Sequence, residues 1–303
     1  QIKDHKVKLI IKRDNLEIDG FGLIKIENKF DDIKYKINSK NKNINLTSTL
    51  NLSELKLNKQ EYLRFFFPKL DEVVSLKDQK IEIDYNNDDL SIKGEGEIKL
   101  SNEFEQIDFN ILKTKDKYKF NTKIDLKKTL LNIDFLNFEK KDELKTTIDI
   151  SGIYNKNKVI NLKKFNIINK DNKILLEDLL INDVNQIVKV EKIDLDFFDN
   201  QNKKNKILLK KTKENSYRVN GQIFNANKLI DNLLKSKKEQ NLKLFKNDLD
   251  LLLNLEEVYL NDESIIKNFK GQLIIQGNKV FFANIYGDFN KTDNLKFTLN
   301  TNN

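Results

Sequence analysis

The chain has 303 residues and a net charge of +8 at pH 7, with no Cys, Met or Trp, one Pro and one His. Without Cys there are no disulfides, thiolate nucleophiles or Cys-ligated metal centres. With His5 as the single histidine, a His-rich metal site and a Ser-His-Asp triad are excluded as well. We therefore expect no catalytic residues, no metal and no cofactor, and we do not expect an enzyme.

The positive charge is spread along the chain among acidic residues. The densest basic stretch is Lys203-Lys204-Asn205-Lys206, followed by Lys210-Lys211. Nucleic-acid-binding proteins cluster their basic side chains on one face, often beside stacking aromatic rings. We interpret the charge as that of solvated strand faces and turns, and we expect no nucleic-acid partner.

The chain begins with Gln1 and lacks Met, which indicates a segment of a longer protein. A signal peptide or membrane anchor would then lie outside this segment. No run of about 18 apolar residues is present, so we expect no membrane-spanning helix within it.

Alternation of apolar and polar residues is the dominant pattern, and it predicts strands with one apolar and one polar face. In Lys117–Lys127, for example, the side chains of Tyr118, Phe120, Thr122, Ile124 and Leu126 share one face. In chain order, the pattern occurs in Leu16–Ile26, Ile81–Tyr85, Leu90–Leu100, Ile107–Ile111, Lys117–Lys127, Ile148–Ile150, Leu249–Leu255, Leu273–Ile275 and Phe281–Phe289.

Clusters of Asn, Asp and Lys separate these strands and predict tight turns, because Asn and Asp tolerate the left-handed conformation. They are Asn41-Lys42-Asn43, Asn86-Asn87-Asp88-Asp89, Lys170-Asp171-Asn172 and the stretch from Asn200 to Asn205. A strand every 10–15 residues predicts a long antiparallel meander of on the order of 20 strands.

Two segments have helical spacing and one is ambiguous. Asn58–Leu70, which contains Pro68, and Ala226–Ser236 predict short helices, whereas Thr129–Phe138 fits either state. The sequence shows no clear linker. We expect residues 1–303 to form one elongated β segment, with a soft boundary near residues 200–206.

The apolar face of so many strands must be covered, because exposed apolar surface costs roughly 25 cal/mol per Å². An open sheet of this size splits into a sandwich, closes into a barrel or curls into a groove. A membrane barrel is disfavoured by the two helical segments and the absence of Trp. Sandwich and groove remain open at this point. The residues that would line a groove are Ile18, Ile92, Tyr118, Phe120, Ile124, Leu126, Ile148, Ile150, Leu251, Leu253, Ile275, Phe281 and Ile285.

From about Lys117 onward the elements follow a specific succession. A strand and a Leu-rich segment (KIDLKKTLLNIDFLNFEKK, Lys123–Lys141) precede two strands around Gly152 (Glu143–Ile168). A strand then runs into a helical segment (SYRVNGQIFNANKLIDNLLKS, Ser216–Ser236). The last part, Leu249–Phe289, joins a strand, a hairpin and a strand that ends in a Tyr-Gly step.

This succession resembles the C-terminal part of AsmA-like envelope proteins, the YhdP and TamB type of bridge-like lipid-transfer proteins. The resemblance implies a mainly β fold, a long antiparallel meander curled into an elongated groove. It also implies a periplasmic location, an inner-membrane anchor outside this segment, and a role in carrying phospholipid acyl chains between the inner and outer membranes.

Two other functions fit the same alternation. The first is a structural or adhesive β-solenoid of the cell envelope whose apolar residues form a filled core without ligand. The second is a glycan-binding or glycan-cleaving β domain, which would need an exposed aromatic platform beside clustered acids. The glycine pairs Gly20-Phe21-Gly22 and Gly94-Glu95-Gly96 lie inside strand patterns, and we interpret them as thin places in the sheet rather than phosphate-binding loops.

Overall fold

The computed structural model describes residues 1–13, 15–41, 43–58, 67–71, 73–140, 143–156, 159–184, 186–228, 247–261, 264–276, 279–290 and 292–301. Contacts between residues divide the chain into two compact units. Unit 1 comprises Gln1–Leu131 and Lys141–Lys156, and unit 2 comprises Asn132–Lys140 and Asn157–Asn303. We number the strands in chain order.

Unit 1 contains nine strands, and each pairs antiparallel with the next strand of the unit. They are β1 (Ile2–Lys12), β2 (Asn15–Lys25), β3 (Phe30–Lys40), β4 (Asn43–Asn58), β5 (Val73–Asn86), β6 (Asp89–Lys99), β7 (Phe104–Thr114), β8 (Lys117–Leu126) and β11 (Thr146–Asn155).

Unit 2 begins with a small hairpin of β9 (Asn132–Ile133) and β10 (Phe138–Glu139) around a 3-10 helix, Asp134–Leu136. The larger sheet of this unit follows the chain, and β13 pairs with both β14 and β15. Its strands are β12 (Ile160–Ile168), β13 (Lys173–Ile181), β14 (Ile187–Lys189), β15 (Lys192–Phe198), β16 (Lys204–Lys213), β17 (Ser216–Asn225), β18 (Leu249–Tyr259), β19 (Ile265–Gln276), β20 (Lys279–Asp288) and β21 (Asn294–Asn300).

The predicted fold class is confirmed: the described residues form a mainly β protein with a long antiparallel meander that is not closed into a barrel, as a curled groove requires. One pair departs from the antiparallel pattern, because β17 and β18 run parallel. A parallel pair needs a long crossover, and here it runs through residues 226–248. Most of that connection lies outside the described residues.

The predicted helices have different outcomes. Residues 59–66 of the segment Asn58–Leu70 and residues 229–236 of the segment Ala226–Ser236 lie outside the described residues. The ambiguous segment Thr129–Phe138 contains the 3-10 helix and most of the β9–β10 hairpin. The soft boundary expected near residues 200–206 falls inside unit 2, at the turn between β15 and β16.

The predicted Asn-rich turns lie where strands meet. Asn41, Asn87 and Asn215 adopt positive φ angles of 49°, 52° and 58° at the turns that follow β3, β5 and β16. Asn is among the few residues that reach this region at low cost. The chain therefore uses Asn at turn positions that Gly commonly occupies.

Aspartate and asparagine also mark irregularities inside three strands. Asp4 in β1, Asp78 in β5 and Asn268 in β19 have positive φ, and each lies where the pairing register shifts. A bulge of this kind bends its strand and resets the alternation of side chains. Leu76 and Gln79 are consequently both buried, although they are three positions apart.

A buried carboxylate holds the chain where it leaves β8. Glu105, at the start of β7, is 5% exposed and accepts hydrogen bonds from the backbone N–H groups of Lys127, Lys128 and Thr129, at 2.8, 2.8 and 2.6 Å. Charge-assisted bonds of this kind are stronger than neutral ones. The exit from β8 is therefore fixed by a side chain of the neighbouring strand.

We expect Glu105→Gln to destabilise the protein by about 1–3 kcal/mol, because an amide oxygen replaces an ionised acceptor of three bonds. Urea unfolding monitored by circular dichroism measures the change. Glu103→Gln is the matched control, since Glu103 is exposed and its pair with Lys128 spans 3.6 Å at the surface. Equal losses for both variants would contradict the structural role of Glu105.

Candidate functional site

One face of the unit 1 sheet carries the apolar residues of the alternation. Ile92 lies opposite Ile111, which lies opposite Phe120 on the next strand. Ile124 lies opposite Ile148 in the same way. We call this surface the apolar face, and the opposite surface of the same sheet the polar face.

Burial divides the apolar face of unit 1 into two bands. Near the strand ends away from the β5–β6 and β7–β8 turns, the side chains are buried; they include Ile107, Ile124, Leu126 and Ile148, of which Leu126 is fully inaccessible. Near those turns, the side chains are half-buried. We call the second set the open band: Ile18, Ile37, Leu46, Ile83, Tyr85, Leu90, Ile92, Ile111, Lys113, Tyr118, Phe120 and Tyr154.

The open band is continuous across the strands. One row crosses from Ile83 through Ile92 and Ile111 to Phe120, strand by strand. A second row crosses from Ile18 on β2 to Tyr154 on β11. Eight strands at about 4.8 Å spacing make this row roughly 34 Å long. Among the described residues of unit 1, every strand belongs to the same sheet, so no second sheet covers the band.

The outermost row of the open band has a mixed character. It contains Tyr85, Tyr118 and Tyr154, with Lys113 between Leu90 and Tyr118 in the register. The rings of Tyr118 and Tyr154 have centroids 6.2 Å apart. Tyrosine and lysine present an apolar body and a polar tip, so this row forms an amphipathic border of the apolar face.

Two glycines allow aromatic rings to lie across the sheet. A Cβ atom built on Gly20 would come 2.2 Å from the ring of Tyr35, and one built on Gly94 would come 2.2 Å from the ring of Phe109. The opposing strand therefore covers each glycine with an aromatic side chain. This agrees with the interpretation of these glycines as thin places in the sheet.

The apolar face of unit 2 is more completely packed. Leu179, Val190, Tyr217 and Leu249 form a buried cluster, against which Leu251 and Ile275 pack. A second cluster contains Val219, Leu255 and Val258, with Leu253 packed against it. Ile285 lies opposite Gly271, and Phe281 precedes the buried Ala283 by two positions on β20.

The structure thus places the predicted lining residues in three settings. Ile18, Ile92, Tyr118, Phe120 and Ile150 are half-buried on the apolar face of unit 1, and Ile124, Leu126 and Ile148 are part of its buried band. Leu251, Leu253, Ile275, Phe281 and Ile285 are half-buried in unit 2.

Sequence reasoning missed part of the open band. Ile37 and Leu46 lie on β3 and β4, which were not among the predicted strands, and they join Ile18 to Tyr85 in the register. The same alternation is present in both strands, as Ile33, Tyr35 and Ile37 show in β3. A search for alternation that accepts Tyr and Ser at apolar positions would have found them.

At one end of the unit 2 face, charged and aromatic groups meet. Burial raises the pKa of the Tyr217 phenol, while a hydrogen bond to the Val190 backbone opposes the shift. The hydrogen bond from Lys189, at 3.0 Å, lowers the pKa of the Glu191 carboxyl. Tyr217 is therefore neutral in the folded protein under ordinary conditions, and Glu191 is ionised.

The raised pKa of Tyr217 predicts an alkaline instability. The unfolded chain ionises this phenol near pH 10, whereas the folded chain resists ionisation, so the stabilising contribution is lost as the pH rises through that range. We expect urea unfolding between pH 8 and 11 to show a smaller alkaline loss for Tyr217→Phe than for the unmodified protein. Tyr286→Phe, at an exposed position, should leave the loss unchanged; equal curves for all three proteins would contradict the assignment.

Two further features that could indicate a function are a metal centre and a membrane-spanning helix. The described residues contain no group of three or more His, Asp or Glu side chains that could hold a metal ion. Within the same residues, no helix has both the length and the apolar composition needed to cross a membrane. Comparison with protein-family models, curated proteins and solved structures finds no match to the chain.

The two bands predict unequal costs of truncation. We expect Ile124→Ala to cost about 2–5 kcal/mol, because it leaves a cavity in a packed region. Ile92→Ala should cost about half as much, because a half-buried side chain loses fewer contacts. Urea unfolding measures both changes, and each variant is the control for the other because both replace Ile with Ala. Equal costs would indicate that the open band is a filled core.

Proposed function

We propose that the chain is a lipid-conducting β segment of the AsmA-like type. Its open band would shield phospholipid acyl chains during passage between the inner and outer membranes. The proposal includes the periplasmic location and the inner-membrane anchor outside this segment that the resemblance implies. The observation that carries the proposal is the continuous half-buried apolar band of unit 1.

The physical properties of the band suit an acyl chain. A hydrocarbon chain needs no hydrogen-bond partner, and most side chains of the two rows offer none. Covering the band with a ligand would remove apolar surface from water, at roughly 25 cal/mol per Å². A length of roughly 34 Å exceeds the half-thickness of a bilayer core, about 15 Å, which one acyl chain spans.

The amphipathic border favours a chain that enters from the side. Tyr85, Tyr118, Tyr154 and Lys113 would lie where the acyl chain gives way to the glycerol and the polar headgroup. Tyrosine and lysine are the side chains that commonly occupy such boundaries in membrane proteins. Movement along the band would be passive, because successive apolar side chains differ little in their attraction for a methylene group.

The competing function is a structural or adhesive β-solenoid with a filled core. The buried band favours it, since Ile124, Leu126 and Ile148 are at most 8% exposed and leave no room for a ligand beside them. The two functions differ in the open band alone. There the solenoid needs side chains at ordinary core density, whereas the lipid conduit needs accessible apolar surface.

The absence of Trp from the chain permits a direct test. Phe120→Trp would place a single indole in the open band, and Lys119→Trp would place one on the polar face of the same strand. We expect phosphatidylglycerol with brominated acyl chains to quench the first indole strongly, because the bromine atoms would lie against the apolar face.

Lys119→Trp is the matched control. The brominated phospholipid should quench its indole no more than a water-soluble bromide does. Native mass spectrometry of the purified protein provides a second readout, with phospholipid expected to remain bound. Equal quenching of the two indoles, together with no co-purified lipid, would overturn the conduit and favour the filled solenoid.

A further inference from the structure

The polar face of unit 1 contains a depression of about 680 Å³ that crosses β1 to β5. Two cross-strand rows form its basic half. In the first, Phe21 lies between Lys6 and Lys34; in the second, Asp19 lies between Lys8 and Lys36. The depression therefore lies on the surface opposite the open band, and the proposed conduit makes no use of it.

Four lysines line this depression: Lys6, Lys8, Lys34 and Lys36. Lys80 forms an ion pair with Glu95 at 3.8 Å, and Lys173 of unit 2 pairs with Asp194 at 2.7 Å. Within the described residues, Lys6, Lys8, Lys34 and Lys36 form no ion pair within 4.0 Å. The fold therefore places four ammonium groups on β1 and β3, the two strands that flank β2.

Phe21 is an aromatic ring where the alternation calls for a polar side chain. It is 51% exposed, and the Lys6 ammonium lies 5.8 Å from its ring centroid. The polar face gains nothing in core packing from this residue. An exposed ring flanked by two cations provides a flat apolar platform for a ligand that carries negative charge.

The other half of the depression presents hydroxyl and carboxylate groups. Thr49 lies beside Lys34 in the register, and Thr47 lies between Lys36 and Asp84. Threonine hydroxyls donate and accept hydrogen bonds, whereas the carboxylates of Asp19, Glu82 and Asp84 only accept. A ligand matched to this half must itself bear hydroxyl donors.

We propose that this depression binds an anionic oligosaccharide. The apolar C–H face of one sugar ring would stack on Phe21, its acidic groups would pair with Lys6 and Lys34, and its hydroxyls would reach Thr47 and Asp84. The five strands span roughly 19 Å, so several linked sugars fit across them. A nucleic acid fits less well, because its backbone and bases offer few hydroxyl donors to Thr47, Asp19 and Asp84.

Isothermal titration calorimetry with tetragalacturonate, maltotetraose and a hexathymidylate tests the proposal. We expect saturable binding of tetragalacturonate, and at least roughly tenfold weaker binding of the uncharged maltotetraose, which lacks partners for the lysines. Phe21→Ala should weaken tetragalacturonate binding about tenfold through loss of the platform. Lys34→Gln should weaken it about fivefold, because exposed charge pairs contribute little individually.

Lys119→Gln, on the polar face of β8 outside the depression, is the matched control and should change binding less than twofold. All three positions are exposed, so the variants should unfold at the same urea concentration as the unmodified protein. Hexathymidylate binding as tight as that of tetragalacturonate would overturn the proposal in favour of a nucleic-acid site. Undiminished binding by Phe21→Ala, or no binding of tetragalacturonate, would overturn it as well.

Discussion

The architecture depends on one constraint, which is that a sheet with a single apolar face must hide that face from water. The strands of unit 1 all lie in one sheet, so no opposing sheet does this within the described part of the unit. The chain covers one end of the face, where Ile107, Ile124 and Leu126 are buried, and leaves the other end half covered. Apolar surface that stays exposed to water at the half-covered end costs roughly 25 cal/mol per Å², and a bound apolar ligand would remove this cost.

Local backbone features make partial coverage possible. The bulges at Asp4, Asp78 and Asn268 bend their strands and keep apolar side chains on one face on both sides of each irregularity. Gly20 and Gly94 let the rings of Tyr35 and Phe109 lie against the backbone of the neighbouring strand. Short Asn-based turns then hold successive strands in register without long loops that would cross the apolar face near the hairpin turns.

Where the alternation is strict, as in β2, β6 and β8, the sequence predicts the strand, the turn and the side of the sheet on which a residue such as Phe120 lies, because all three depend on neighbours along the chain. It missed β3 and β4, in which Tyr and Ser stand at apolar positions. The alternation could not predict that Ile92 is half-buried and Ile124 buried, because burial depends on which strand end the rest of the unit covers. It could not reveal the parallel pairing of β17 and β18, which depends on a crossover rather than on either strand. The bulges were equally hidden, because a left-handed Asp inside a strand interrupts the very period that identifies the strand.

Packing constrains the side chains of the polar face less than those of the apolar face. Polar-face side chains add little to the stability of the sheet, and exposed ion pairs contribute roughly 0–1 kcal/mol each. Packing within the sheet therefore does not explain why Lys80 has a carboxylate within 4 Å. It equally leaves unexplained that Lys6, Lys8, Lys34 and Lys36 have none in the described structure. Nor does it require an exposed phenyl ring at position 21. Because packing imposes so little on this face, substitutions in the proposed depression should leave the apolar face intact, so the two proposals can be tested independently of each other.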